Sequence, residues 1–192
     1  MSGQRHNHQT RCGPPIVIGG VGGSGTRVVA EILRTAGVFM GRDLNAACDN
    51  LLFTSLFKRP RWLPQALNVP GRLARGLAAH EALFLRHRRL SLGETLFTLR
   101  AALSMARFGQ NAQGSGRGTA WLHERLQRLP AVDSGDWQRR APAGRWGWKE
   151  PNTHLLVPAL LDEYPDMHYV HVFRHGMDMA FSANQQQLHN WH

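Results

Sequence analysis

The stretch IVIGGVGGSGTRVVAEIL, residues 16–33, decides the fold. It begins with a short apolar run from Ile16 to Ile18, which is typical of a buried strand, and continues through a glycine-rich turn. From Thr26 to Ala36 the apolar residues recur at helical spacing. A strand, a glycine-rich turn and a helix in this order predict a loop whose backbone N–H groups and helix N-terminus hold an anion.

This loop lacks the lysine that a nucleotide triphosphatase would carry. Such enzymes show Gly-Lys-Ser/Thr, in which the lysine reaches the terminal phosphates. Here the sequence from Ser24 to Arg27 is Ser-Gly-Thr-Arg. Two interpretations of Arg27 stay open: its guanidinium supplies the missing charge, or it pairs with Glu31 one helical turn later.

The chain is rich in arginine and poor in lysine. Of its 23 basic residues 21 are arginines, and Lys58 and Lys149 are the lysines; the net charge is +10. Such a charge attracts nucleic acid, or it forms a solvated surface, and we favour the surface over a nucleic-acid partner. A lysine retained among arginines suggests a need for a compact point charge.

Other features of the composition exclude several classes of protein. With 42% hydrophobic residues, the chain can build the core of one domain. No apolar run reaches the length of a membrane span, and the polar N-terminus does not resemble a secretory signal. Two cysteines give neither a disulfide framework nor metal-ligand spacing. We therefore expect a cytoplasmic protein without a bound metal.

The organisation along the chain predicts an α/β fold. We expect a disordered tail over residues 1–13 and a domain over 14–192 that contains a helical insert at 58–130. Beyond the insert, short apolar strands at 146–149 and 168–173 alternate with helices, and a weaker strand is expected near 37–40. This alternation predicts a parallel sheet flanked by helices, a P-loop-like nucleotide-binding architecture.

In such a sheet, ligands lie beyond the carboxyl ends of the strands. That edge would gather the glycine-rich loop, Lys149 with Glu150, and Arg174. Ser182 follows Arg174 by eight residues on the next helix, so one guanidinium and one hydroxyl could hold the same phosphate. Two separate anion sites at one edge indicate a nucleotide that is phosphorylated at two places.

Three motifs in this order resemble the sulfotransferase superfamily: GGSGTR at 22–27, KEP at 149–151 and FRHGMDMAFS at 173–182. The resemblance implies the donor 3′-phosphoadenosine 5′-phosphosulfate, with its 5′-phosphosulfate end on the first motif. It implies that Arg174 and Ser182 bind the 3′-phosphate, and that Lys149 reaches the transferred group. The first-motif residues that would bind the donor are Gly22, Gly23, Ser24, Gly25, Thr26 and Arg27.

The resemblance also implies an activity and a catalytic base. The enzyme would transfer a sulfuryl group to a hydroxyl or amine of a glycan, lipid, small molecule or peptide, without needing a metal. The candidates for the base are Asp43, Asp49, Glu31, Glu150 and His154. Carboxylates shortly after the second strand serve as the base in several branches, which favours Asp43 or Asp49, and we choose Asp49. A turn residue is the alternative for Asp49, and Glu150 is predicted to orient Lys149.

The resemblance covers roughly residues 15–50 and 146–188. Related domains continue beyond the helix that carries the serine, so we expect the C-terminal part of the domain to be missing. Two other classes remain as alternatives. One is a P-loop kinase or nucleotide triphosphatase, and the other is a non-catalytic arginine-rich nucleic-acid-binding or degenerate sulfotransferase-like protein.

Overall fold

The computed structural model of the chain describes residues 13–59, 62–69, 71–108, 123–124 and 144–181. A parallel three-stranded sheet lies at its centre, with the order β2-β1-β3. The strands are β1 (Ile16–Gly20), β2 (Gly147–Lys149) and β3 (His168–Val172). The predicted α/β class, a parallel sheet flanked by helices, is confirmed.

Helices fill the intervals between the strands. After β1 come α1 (Thr26–Thr35), α2 (Leu51–Phe57), α3 (Leu63–Leu67), α4 (Arg72–Leu85) and α5 (Leu92–Phe108). After β2, a 3₁₀ helix (Pro151–Leu156) continues into α6 (Val157–Glu163), and β3 is followed by α7 (Gly176–Ala180). The helices α3 to α5 fall in the region that the sequence predicts to be a helical insert.

The two faces of the sheet carry separate hydrophobic cores, as the alternation of side chains along a strand requires. Val17 and Ile18 are both fully buried and belong to different cores. Ile18 packs with Ala30 of α1 and with Val38 and Met40. Val17 packs in the larger core, whose aromatic members are Phe39, Phe53, Phe57, Phe84, Trp146, Trp148 and Tyr164.

Tryptophans anchor β2 in the larger core. Trp146 and Trp148 are fully buried, with ring centroids 5.9 Å apart. Gly147 between them faces the opposite side, where a Cβ atom would overlap the backbone of Ile16. The tryptophans of the strand predicted at 146–149 therefore pack in the larger core.

Two local predictions were wrong. The strand expected near 37–40 is reduced to a single bridge between Phe39 and Trp146. The sequence also predicts that Asn152 or Thr153 caps a helix running to about Tyr164, but the 3₁₀ helix begins at Pro151 and the Asn152 side chain binds Glu150 instead.

Several predicted segments lie mostly outside the described residues. They are the disordered tail, the part of the insert that follows α5, and most of the segment leading to β2. The domain boundaries based on them stay predictions.

Candidate active site at the carboxyl ends of the strands

The glycine-rich loop leaves β1 through a backbone conformation that favours glycine. Gly20 has φ 149°, and a Cβ atom there would overlap the carbonyl oxygen of Val172 at the end of β3. Gly23 and Gly25 also have positive φ, 89° and 98°. These values explain why the turn between β1 and α1 is built from glycine.

Ser24 places a buried hydroxyl inside this loop. Its Oγ lies 3.3 Å from the position of a Cβ atom on Gly20, and it has no hydrogen-bond partner among the described residues. The Ser24 N–H closes a turn by donating to the Val21 carbonyl at 3.1 Å. An unpaired buried hydroxyl is unfavourable, so a ligand that bonded it would be stabilised.

The helix α1 begins directly after the loop. Gly25 is its N-cap residue and has no side chain to bond the first-turn N–H groups. Thr26 is buried at the first helical position. Uncapped N–H groups and the helix dipole favour an anion at this end.

Arg27 points along the outer face of α1. Its Nε lies 3.5 Å from Glu31 Oε1, and 59% of its side chain is exposed. Of the two interpretations that the sequence left open, this arrangement corresponds to the intrahelical pair.

Lys149 and Asp49 are in contact. The ammonium group of Lys149, at the end of β2, donates to the Asp49 carboxylate and to the Ala47 carbonyl, the latter at 3.1 Å. Only 3% of the Lys149 side chain is exposed, against 21% for Asp49. Asn45 Nδ2 donates to the second Asp49 oxygen at 2.8 Å, so the carboxylate is engaged on both sides.

The turn that presents Asp49 is held by Asn45. The Asn45 Oδ1 accepts from the N–H groups of Ala47 and Asp49, each at 2.9 Å. The next residue, Asn50, donates its N–H to the Lys149 carbonyl at 2.7 Å and caps α2 by accepting from Phe53 N–H. The loop at 45–50 is therefore bonded both to the side chain and to the backbone carbonyl of Lys149, the last residue of β2.

The sequence predicts that Glu150 orients Lys149, but the two side chains bind different partners. Its carboxylate accepts from Asn152 Nδ2 at 3.0 Å, while Lys149 binds Asp49. Consecutive residues of an extended chain project to opposite sides, which accounts for the separation. Burial raises the pKa of Glu150 to about 7, although the charge of Lys58 acts in the other direction.

A cavity of about 130 Å³ opens beside Glu150. The described residues that line it are Phe53, Phe57, Lys58, Arg59, Leu63, Pro64, Leu67, Glu150, Asn152, Leu155 and Leu156. Neither Arg59 nor the cavity is among the features predicted from the sequence. The sequence signal that could have indicated them is the largely apolar segment 51–57, which is followed directly by two cations, Lys58 and Arg59.

Arg174 follows β3, two residues beyond the strand end. Its Nε lies 3.8 Å from Asp178 Oδ2, and 46% of its side chain is exposed. Ser182, its predicted partner, lies outside the described residues. The paired role of Arg174 and Ser182 is therefore still a prediction.

The sheet order brings three of the predicted features to one edge. β1, which leads to Ser24, lies between β2, which ends at Lys149, and β3, which leads to Arg174. Glu150 N–H donates to the Ile18 carbonyl at 3.3 Å, so the chain leaving β2 is still bonded to β1. A ligand at this edge could contact all three features.

The described residues hold no group of three or more His, Cys, Asp or Glu side chains arranged to bind a metal. None of the described helices is long and apolar enough to cross a membrane.

A family model described as "Sulfotransferase family" matches residues 14–192. No curated protein and no solved structure matches the chain. The match spans both motif regions and the helices between them.

Proposed function

Because the chain belongs to the sulfotransferase family, we propose that it transfers a sulfuryl group from 3′-phosphoadenosine 5′-phosphosulfate to a hydroxyl or amine acceptor. The observation that carries the proposal is the buried ammonium of Lys149 at the edge that also holds the glycine-rich loop. A buried cation there can balance the negative oxygens of a sulfuryl group and of its leaving phosphate.

The loop suits the 5′-phosphosulfate end of the donor. Phosphosulfate oxygens would accept from the Ser24 hydroxyl, which lacks a partner among the described residues, and from N–H groups in the first turn of α1. The glycines from Gly22 to Gly25 would let the ligand approach the backbone closely. Arg27 would need to leave Glu31 to contribute, and an exposed pair of this kind is weak enough to exchange partners.

Arg174 is the group we assign to the 3′-phosphate, together with Ser182. Its contact with Asp178 is long and half-exposed, so a phosphate dianion could replace that carboxylate. The donor would then span the edge from β1 to β3, with a separate cation for each anionic end.

In the reaction the acceptor oxygen or nitrogen forms a bond to sulfur while the bond from sulfur to the phosphate oxygen breaks. Negative charge grows on the leaving phosphate, and we assign the stabilisation of that charge to Lys149. Asp49 acts as a positioning residue, because its carboxylate holds the Lys149 ammonium in place. Its carboxylate is engaged by Lys149 and Asn45, which leaves it poorly placed to take an acceptor proton.

The test is transfer of labelled sulfate from the donor onto pooled glycans, lipids, small alcohols, amines and peptides. We expect label to appear in at least one pool and to fall about a hundredfold in Lys149→Met. Equal labelling by the wild type and by Lys149→Met, with both proteins folded, would contradict the assignment of Lys149.

A further inference from the structure

The cavity beside Glu150 has the size of one aromatic ring. Its volume is about 130 Å³, close to the roughly 150 Å³ of an engineered cavity that binds benzene. Its walls are mostly apolar side chains of α2, α3 and the 3₁₀ helix. An aryl or short alkyl group would therefore be favoured over a hydrated sugar ring.

Arg59 is a buried cation in the wall of this cavity. It is 6% exposed, and its guanidinium carbon lies 3.9 Å from the ring centroid of Trp62 and 5.1 Å from that of Phe97. Its Nε donates to the Leu56 carbonyl at 2.9 Å.

The charge of Arg59 is not matched by a carboxylate of the described residues. Its buried Nη2 has no hydrogen-bond partner among them, and burial lowers its pKa to about 10. A buried cation without a counter-ion is unfavourable unless a ligand supplies one. The arrangement therefore points to an anionic group in the ligand.

The other polar residues that line the cavity are Lys58, Asn152 and Glu150. Glu150 is 4% exposed, it directly follows Lys149 at the end of β2, and its N–H donates to the Ile18 carbonyl in the middle of β1. A hydroxyl bound here would lie near the sheet edge at which we place the sulfuryl donor. A carboxylate in hydrogen-bond reach of that hydroxyl can accept its proton.

We propose that this cavity is the acceptor site, that it takes an aryl-sized alcohol or amine bearing an anionic group, and that Glu150 is the proton acceptor. The inference rests on the proposed sulfuryl transfer. The anionic group pairs with Arg59, and the reacting hydroxyl lies against Glu150. Its proton passes to the Glu150 carboxylate as oxygen bonds to sulfur, and adenosine 3′,5′-bisphosphate leaves with the electrons of the broken bond.

The first experiment measures acceptor binding without turnover. Calorimetry compares 3-(4-hydroxyphenyl)propanoate with its uncharged amide, both in the presence of adenosine 3′,5′-bisphosphate. We expect the acid to bind at least tenfold more tightly to the wild type. Equal affinity for the two probes would overturn the anionic part of the proposal, and this comparison needs no variant.

Arg59→Met removes the charge while keeping a long apolar side chain against Trp62. We expect it to erase the preference for the acid and to leave the thermal midpoint unchanged or raised, since burying a charge that has no carboxylate partner among the described residues is costly. Arg72→Met, which changes an exposed arginine of α4, is the matched control and should keep the preference. A preference that survives in Arg59→Met would overturn the role of Arg59.

Glu150→Gln tests the proton acceptor. We expect transfer to fall a hundredfold or more, while the affinities for the acid probe and for the bisphosphate change less than threefold. The wild-type rate should rise with pH through a limb near 7 that the variant lacks; the groups acting on Glu150 are Lys58, Asp49 and Asn152. Wild-type transfer by Glu150→Gln would overturn this part.

The two proposals fail in different ways. If adenosine 3′,5′-bisphosphate does not bind, the proposed donor is wrong, whatever the acid and amide probes show. If the bisphosphate binds but the cavity does not distinguish the probes, the donor assignment stands and the acceptor class is wrong.

Discussion

At the scale of single residues, Lys149 and Asp49 form a pair across 100 positions of sequence. Each was predicted to be catalytic from its motif or its place after a strand. Their contact could not be predicted, because it depends on how the turn that begins at Asn45 folds against β2. The same contact changes the role we give Asp49 from that of a base to that of a partner for the lysine.

Replacing Lys149 by methionine should affect the rate more than donor binding. A contact that strengthens as charge develops on the leaving phosphate appears mainly in turnover. We expect turnover to fall by about a hundredfold, with the affinity for adenosine 3′,5′-bisphosphate nearly unchanged. Asp49→Asn keeps Lys149 but weakens the contact that positions its ammonium group, so turnover should fall by less than in Lys149→Met. A loss of affinity without a loss of rate would exclude Lys149 from the transition state.

Arg174→Ala should weaken the bisphosphate far more than adenosine 5′-phosphosulfate, which has no 3′-phosphate. Loss of a charge-assisted hydrogen bond corresponds to about 1.5–3 kcal/mol, which is roughly tenfold to more than a hundredfold in affinity. Asp178→Ala is the matched control, because it frees Arg174 from its carboxylate and should not weaken the bisphosphate. Equal losses for both nucleotides by calorimetry would remove Arg174 from the 3′-phosphate site.

At the scale of elements, the three strands could be predicted because each is a short apolar run followed by glycine or charge. The helix α2 was missed because its seven residues are too few for a clear period, although Asn50 is a recognisable cap. The position of Glu150 was misjudged because adjacency along the chain was taken for adjacency in space, whereas a strand sends neighbours to opposite faces.

Gly20→Ala tests the junction of β1 with the loop. The new methyl would meet the Val172 carbonyl at a φ of 149°, so we expect a loss of about 1–3 kcal/mol in unfolding free energy and weaker donor binding. Gly13→Ala, where a Cβ atom has no neighbour within 4 Å, is the control. Chemical denaturation of both variants gives the comparison, and a neutral Gly20→Ala would show that the loop is not held close to β3.

At the scale of the whole molecule, the aromatic side chains of the larger core surround a histidine, His80. His80 is fully buried among Phe53, Phe84 and Trp148, and neither ring nitrogen has a hydrogen-bond partner among the described residues. Burial lowers its pKa to about 3. The folded protein therefore keeps His80 neutral at a pH where the unfolded chain protonates it.

This histidine predicts a loss of stability in acid. Below about pH 6.5 the unfolded state binds the extra proton, so stability falls as pH drops towards 3, by at most roughly 1.4 kcal/mol per pH unit. His80→Phe should remove that component, so the difference in unfolding free energy between variant and wild type should grow as pH falls from 6.5 to 4. The pKa of Glu150, about 7, lies close to this range, but Glu150 is present in both proteins, so its contribution cancels in the difference. A difference independent of pH would show that His80 is hydrated.

The central claim is that the carboxyl edge of the sheet binds a nucleotide phosphorylated at its 3′ and 5′ positions. Calorimetric titration of the wild type with adenosine 3′,5′-bisphosphate, and separately with ATP and Mg²⁺, tests it most directly. We predict saturable binding of the bisphosphate at a single site and at least tenfold weaker binding of ATP with Mg²⁺. Tighter binding of ATP with Mg²⁺ than of the bisphosphate would contradict the claim and favour a nucleotide triphosphatase or kinase.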